Sequence, residues 1–330
     1  MTQLPLRCVV ILSVMLCAAP LLLTGCGGCG TSSSIALEYN DSFETIRNEF
    51  EFGGASGGSS SSALDDPNRT PQWGSINGVV KVIGSVPALS PIPVGKEQAI
   101  CGTTAPNEVL EVGSNGGIKN VLLFLNTDLP VNDSGDETPV WVHGSYSFDK
   151  VGEFPVTNDR QKSNVLFDQK RCVFLSHVFS IRSDQTMIIR NSDNTLHNTN
   201  ISAKKGKQAN EGIPAQGETT YQPTTQENDP FPVTCNVHPW MRSWMIVRNN
   251  PYFDVSKADG SFQIPNIPAG VELEFRIWQE KTGFISAKQA DQTFKLNNEA
   301  IDVKKGKFKL TLNDNQTLDL KLEISNSIFQ

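Results

Sequence analysis

Seven consecutive residues, Cys235-Asn236-Val237-His238-Pro239-Trp240-Met241, carry a thiol, an imidazole and a thioether. A thiolate is a soft anionic donor, an imidazole is borderline and a thioether is a weak neutral donor, so the trio suits both oxidation states of copper. A second imidazole from elsewhere would complete a trigonal His2Cys set with a weak axial Met, the arrangement that holds electron-transfer copper. The chain has only four histidines, and His197, which follows the polar turn Asn191-Ser192-Asp193-Asn194, is the candidate for that role.

Each residue alone also has a plainer reading, since buried cysteines and isolated structural histidines are common. Structural zinc usually recruits several thiolates or a carboxylate and not a thioether. A nucleophilic Cys235 activated by a histidine would leave Met241 without a role. His177, five residues after Cys172, reads as structural or as part of a second site, and His143 reads as a surface or core residue.

The elements that must bring these side chains together read as strands. Ser75–Val82, Val165–Phe167, Val178–Ser180, Thr186–Arg190, Val271–Trp278, Lys307–Leu312 and Leu318–Ile324 are β-prone, most of them alternating, and Val121–Leu125 is a short apolar run suited to a buried strand. Tyr252–Ile264 reads as a hairpin about Asp259-Gly260. No long amphipathic helix and no solenoid period is present in the sequence. At 330 residues the chain can bury a sizeable core. Its net charge of −7 argues against nucleic acid as a partner.

Arg7 precedes an apolar run, Val9–Leu23, too short for a comfortable membrane span and suited to a signal segment. The run ends in Leu23-Thr24-Gly25-Cys26, which resembles the lipobox of bacterial lipoproteins. That resemblance implies lipidation of Cys26 and anchoring to a membrane of the cell envelope; an ordinary secretory signal is the alternative. Residues 26–72 are rich in Gly, Ser and acidic residues and read as a flexible tether. Without Cys8, Cys17 and Cys26 the chain keeps Cys29, Cys101, Cys172 and Cys235 in a compartment where disulfides persist. If Cys235 binds metal, Cys101 and Cys172 are the natural pair, although spacing does not determine connectivity.

The Cys235-x2-His238-x2-Met241 segment resembles the ligand loop of small cupredoxins of the amicyanin and pseudoazurin type, and Leu196-His197-Asn198 resembles that family's first-ligand segment. The resemblance implies one type 1 copper with His197, Cys235 and His238 equatorial, Met241 axial and Asn198 bracing the loop. It further implies that the ring edge of His238 nears the surface and that Pro239 and Trp240 join an apolar docking patch; core packing is the other reading of Trp240.

Other segments, among them Ile100-Cys101-Gly102, Gly116–Val121 and Cys172–Val178, resemble exported bacterial methylamine-utilisation-like proteins. Asp259-Gly260-Ser261-Phe262 and Ile267-Pro268-Ala269-Gly270 resemble the carboxypeptidase-regulatory-like β-sandwich, which is noncatalytic. Those relatives often have histidines where this chain has Asn250 and Gln279.

The expectation is an all-β chain: a cupredoxin-like Greek-key sandwich inserted into a second, smaller regulatory-like sandwich. Its segments are a signal at 1–25, the tether at 26–72, first strands of the outer sandwich at 73–140, the copper-binding insert at 141–249 and the remainder at 250–330. The expected function is membrane-tethered, extracytoplasmic carriage of single electrons between redox protein partners, without catalysis. The alternative is an envelope scaffold or a glycan- or protein-binding lipoprotein with a vestigial metal site.

Overall fold

The structure, a computed structural model, describes residues 64, 69–86, 88–130, 141–146, 159–161, 163–286 and 293–329. The signal segment, Cys26 and most of the tether lie outside the described residues. The described part is all-β with two pairs of sheets, as the alternating segments required.

The first pair is built from both ends of the chain. Trp73–Ile83 lies between Ser261–Pro268, antiparallel, and Thr317–Ser325, parallel. Thr317–Ser325 reads as alternating exposed and buried residues, so Leu318, Leu320, Leu322 and Ile324 all face the core. In the facing sheet, Leu122–Leu125 pairs with Phe253–Val255 and Glu272–Gln279, and Lys307–Thr311 pairs with Glu272–Gln279 from the other side. All four residues of Leu122–Leu125 are buried because each of its faces meets protein. One face joins the core of this pair and the other, through Leu122 and Phe124, meets Val178, Ile246, Phe253 and Trp278.

The second pair comes from residues 164–248. One sheet has the order Ala209–Ile213, His197–Ile201, Phe231–Thr234, Arg242–Arg248 and Val178–Arg182, the last two running parallel. The other pairs Glu218–Tyr221 with Thr186–Asn191, and Thr186–Asn191 with Asn164–Lys170. Phe167, Phe179, Phe231, Met245 and Val247 fill the space between them.

Three expectations are corrected. The two arms of the Asp259-Gly260 turn do not pair as a hairpin: Phe253–Val255 joins one sheet and Ser261–Pro268 the other, so the segment is an arch between layers. Its turn residues are those of a hairpin, since Gly260 takes φ +81°, but local sequence carries no information about which sheet each arm meets. A Cβ at Gly260 would stand 2.1 Å from the carbonyl oxygen of Val80, so the arch is held against the first strand at backbone distance. Second, Trp141, Val142 and Tyr146 pack in the core of the outer pair rather than opening the insert, and the Tyr252 hydroxyl donates to the Trp141 carbonyl at 2.8 Å. Third, the ordered body reaches into the expected tether. Leu64 is buried, its carbonyl accepts from the Trp141 indole at 2.9 Å, and Arg69 donates to the Gly270 carbonyl at 2.8 Å.

Candidate metal centre

The loop that links Phe231–Thr234 to Arg242–Arg248 is closed by its own backbone. The Cys235 N–H donates to the Met241 carbonyl at 3.2 Å, and the Met241 N–H donates to the His238 carbonyl at 2.9 Å. Inside that ring the His238 N–H points at Cys235 Sγ, 3.4 Å away. Asn198 holds the loop from the neighbouring strand, its Oδ1 accepting from the N–H groups of Asn236 at 2.7 Å and Val237 at 3.2 Å. Its Nδ2 donates to Asn210 Oδ1 at 2.6 Å, which gives the amide its orientation. Asn198 therefore occupies the bracing position that the loop requires.

His197 opens the strand His197–Ile201 and reaches the loop directly. Its Nδ1 lies 2.8 Å from Nδ1 of His238, and His238 Nδ1 lies 3.9 Å from Cys235 Sγ. One donor atom from each of His197, Cys235 and His238 lies within 4.8 Å of the other two. Both imidazoles are fully buried, and Cys235 and Met241 are buried beside them.

Each imidazole presents Nδ1 inward because a carboxylate holds Nε2. Asp193 Oδ2 sits 2.8 Å from His197 Nε2, and Glu97 Oε2 sits 2.6 Å from His238 Nε2. A carboxylate accepts from Nε2–H, so each ring turns its Nδ1 toward the other. Two Nδ1 atoms 2.8 Å apart beside a thiol share a proton or hold a metal cation in its place. Burial pushes the His197 imidazole below its ordinary pKa, against the hydrogen bond to Asp193, which disfavours a second proton on that ring. The donor set therefore fits a copper ion: two imidazole nitrogens and one sulfur.

The carboxylates are themselves anchored. Arg171 and Cys172 adopt left-handed backbone, φ 55° and 54°, which aims their N–H groups at Asp193, at 2.6 Å and 2.8 Å. Glu97, at φ 54°, precedes the short helix Gln98–Cys101, and Cys101 is bonded to Cys172 with Cα atoms 5.0 Å apart. The disulfide thus fastens the Glu97 segment over the loop. Thr195 also donates to Glu97 Oε2 at 2.9 Å. The hydrogen bond from His238 and then that from Thr195 hold the Glu97 carboxyl below its ordinary pKa.

The expectation of a surface-facing His238 edge is thereby corrected. A segment more than a hundred residues earlier in the chain covers the edge, and Glu97 occupies the position water would take. Trp240 is half-buried; its indole donates to the Cys172 carbonyl at 3.0 Å and its ring lies 5.1 Å from that of His238, so it packs into the same covering layer. His143 is away from this centre, with its ring 5.0 Å from that of Trp73 and its Nδ1 2.9 Å from Ser145 Oγ.

Sequence reasoning passed over Asp193 and Glu97. Asp193 stands four residues before His197, a local signal that was available; Glu97 has none.

No family model and no curated protein matches this chain. Among solved structures it is similar to amicyanin from Paracoccus versutus, at 18% identity over 30% of this chain and 96% of that one, with a TM-score of 0.24. It is similar to the Cu(I) form of an amicyanin variant at 16% identity, over 29% of this chain and 94% of that one, TM-score 0.24. The copper-containing nitrite reductase of Thermus scotoductus SA-01 is similar at 15% identity over 29% of this chain and only 23% of that one, TM-score 0.24.

Proposed function

We propose that this protein binds one copper ion between His197, Cys235 and His238, with Met241 as a weaker fourth ligand, and carries single electrons between redox protein partners. The observation behind this reading is the convergence of two imidazole nitrogens and one thiol, all buried. Copper in such a site supplies a one-electron couple. The chain's own residues do the rest. Asp193 and Glu97 hold the Nε2 protons and so aim both rings, Asn198 braces the loop through two backbone N–H groups, and the apolar residues behind Cys235 exclude water. Ligands held this firmly change little when the charge on the metal changes, and that favours fast transfer over bond-making chemistry.

In this reading the protein is an electron carrier and not an enzyme. Because Glu97 and the disulfide-bound segment cover His238, a partner docks on that covering layer and meets a carboxylate where a bare imidazole edge was expected. Export and anchoring through Cys26 belong to the same proposal.

Copper titration tests it. Protein given one equivalent of Cu(II) is expected to develop an intense visible thiolate-to-copper absorption and a type 1 EPR signal, and Cys235→Ser is expected to remove the absorption. Met241→Leu is expected to keep the copper and raise the reduction potential. A folded protein that stays colourless and takes up no stoichiometric copper favours the noncatalytic envelope scaffold instead.

A further inference from the structure

A third histidine, His177, is as notable as the two at the first centre. It lies in the turn before Val178–Arg182 and is 6% exposed. Its Nε2 is 2.5 Å from Oε2 of Glu280, the residue after Glu272–Gln279. That carboxylate accepts, so Nε2 carries a proton and Nδ1 is the nitrogen turned away from it. Nδ1 has no hydrogen-bond partner, although it is buried. Oε2 of Glu108 is the nearby charge, 3.6 Å from Nδ1, and that distance is too long for a hydrogen bond.

These groups line a cavity of about 250 Å³ with Asn107, Trp240, Met241 and Arg242. Asn107 Oδ1 is a second buried acceptor without a partner on the same wall. The cavity is therefore lined by an imidazole nitrogen, an amide oxygen and two carboxylates, together with Arg242. Burial pushes the Glu108 carboxyl above its ordinary pKa, more than the charge of His177 pulls it down. For Glu280, burial acts upward too, but the hydrogen bond with His177 leads the opposing interactions and the carboxyl is held below its ordinary pKa. The carboxyl that holds the ring is thus stabilised as an anion, and for the one across from Nδ1 burial outweighs the neighbouring charges of His177 and Lys119.

The spacing distinguishes a metal ion from an ammonium as occupant. Two donors each about 2.1 Å from one tetrahedral ion stand about 3.4 Å apart, close to the separation seen here. A bridging ammonium, about 2.8 Å from each acceptor, would place them about 4.6 Å apart. We propose that His177 Nδ1 and Glu108 hold a second metal ion, a borderline divalent cation of the zinc type, with Glu280 orienting the imidazole and the cavity supplying open coordination positions. Carboxylate, imidazole and metal then stand in line, the arrangement by which an outer carboxylate sets the tautomer and basicity of a ligand histidine. The site shares no ligand with the centre at Cys235 and stands whether or not that centre takes copper.

Zinc alone is the probe, on the full chain. The Cys235→Ser protein removes the thiolate from the first centre, so zinc competed from it by a chromophoric chelator reports on what remains. In this background Glu108→Gln is expected to weaken one zinc equivalent at least about tenfold, and Glu280→Gln about 10–100-fold. Glu108 sits on a loop and its side chain is partly exposed, so Glu108→Gln is expected to fold normally, which circular dichroism checks. Anomalous scattering at the zinc edge is expected to place the ion against His177 Nδ1 and Glu108. Zinc affinity indifferent to Glu108→Gln, or an anomalous peak confined to other residues, overturns the proposal. So does folded Cys235→Ser protein that binds no zinc.

Discussion

Two histidine clusters flank the strand Arg242–Arg248, and they differ in what completes them. At the first, a thiol and a second imidazole face His238 in a volume closed to solvent. At the second, a carboxylate faces His177 across a cavity. Both use the same device, a glutamate on Nε2 that turns Nδ1 to the other side of the ring. Softness and access, rather than the histidine itself, therefore separate the two. A closed set with sulfur suits an ion that changes charge without changing ligands, and an open set with oxygen suits an ion that exchanges ligands. The teaching is that a buried histidine is read from both of its nitrogens.

The largest effect expected to sharpen this contrast comes from the disulfide. Cys101 and Cys172 are 71 residues apart, and replacing both with serine is expected to cost about 2–4 kcal/mol in denaturant unfolding. It should also open the His238 edge, so that an imidazole-modifying reagent reaches His238 in the variant and not in the parent. Equal reactivity in both would mean that Glu97 is held by its other contacts. Next, Asp193→Asn is expected to weaken copper binding about 10–100-fold while leaving the Glu108-dependent zinc unchanged. A parallel loss of both metals would show the clusters to be coupled.

The smallest effect concerns pH. Burial raises the Glu108 carboxyl, so the folded metal-free protein binds more protons there than the unfolded chain does. The sign follows from linkage: stability from this group is fully present below the unfolded carboxyl value of about 4.5 and is lost as pH rises through the higher folded value. Metal-free Glu108→Gln is therefore expected to be modestly more stable than the parent at pH 7 and not at pH 4, by thermal unfolding at both values. A parent that is the more stable at pH 7 would show that burial does not penalise that carboxylate.

Much of the molecule was legible beforehand because the relevant interactions are local. Alternation marked Thr317–Ser325 and Glu272–Gln279 as half-buried strands, since successive side chains must point to opposite faces. Cys235, His238 and Met241 were legible as a group because a seven-residue loop keeps them together under any fold. The partner for that loop was legible only as a candidate, His197 after its polar turn, and the fold then set the two Nδ1 atoms 2.8 Å apart.

What the sequence by itself determined is thus the kind of donor and the β character of the elements, both consequences of residue type and of neighbours along the chain. Only the tertiary structure decided that Glu97 covers His238, that Glu108 and Glu280 bracket His177, and that the arms at Gly260 part into different sheets. Glu97 and His238 are 141 positions apart and Trp73 and Pro268 further still, and no local preference records which distant strand a given edge will meet.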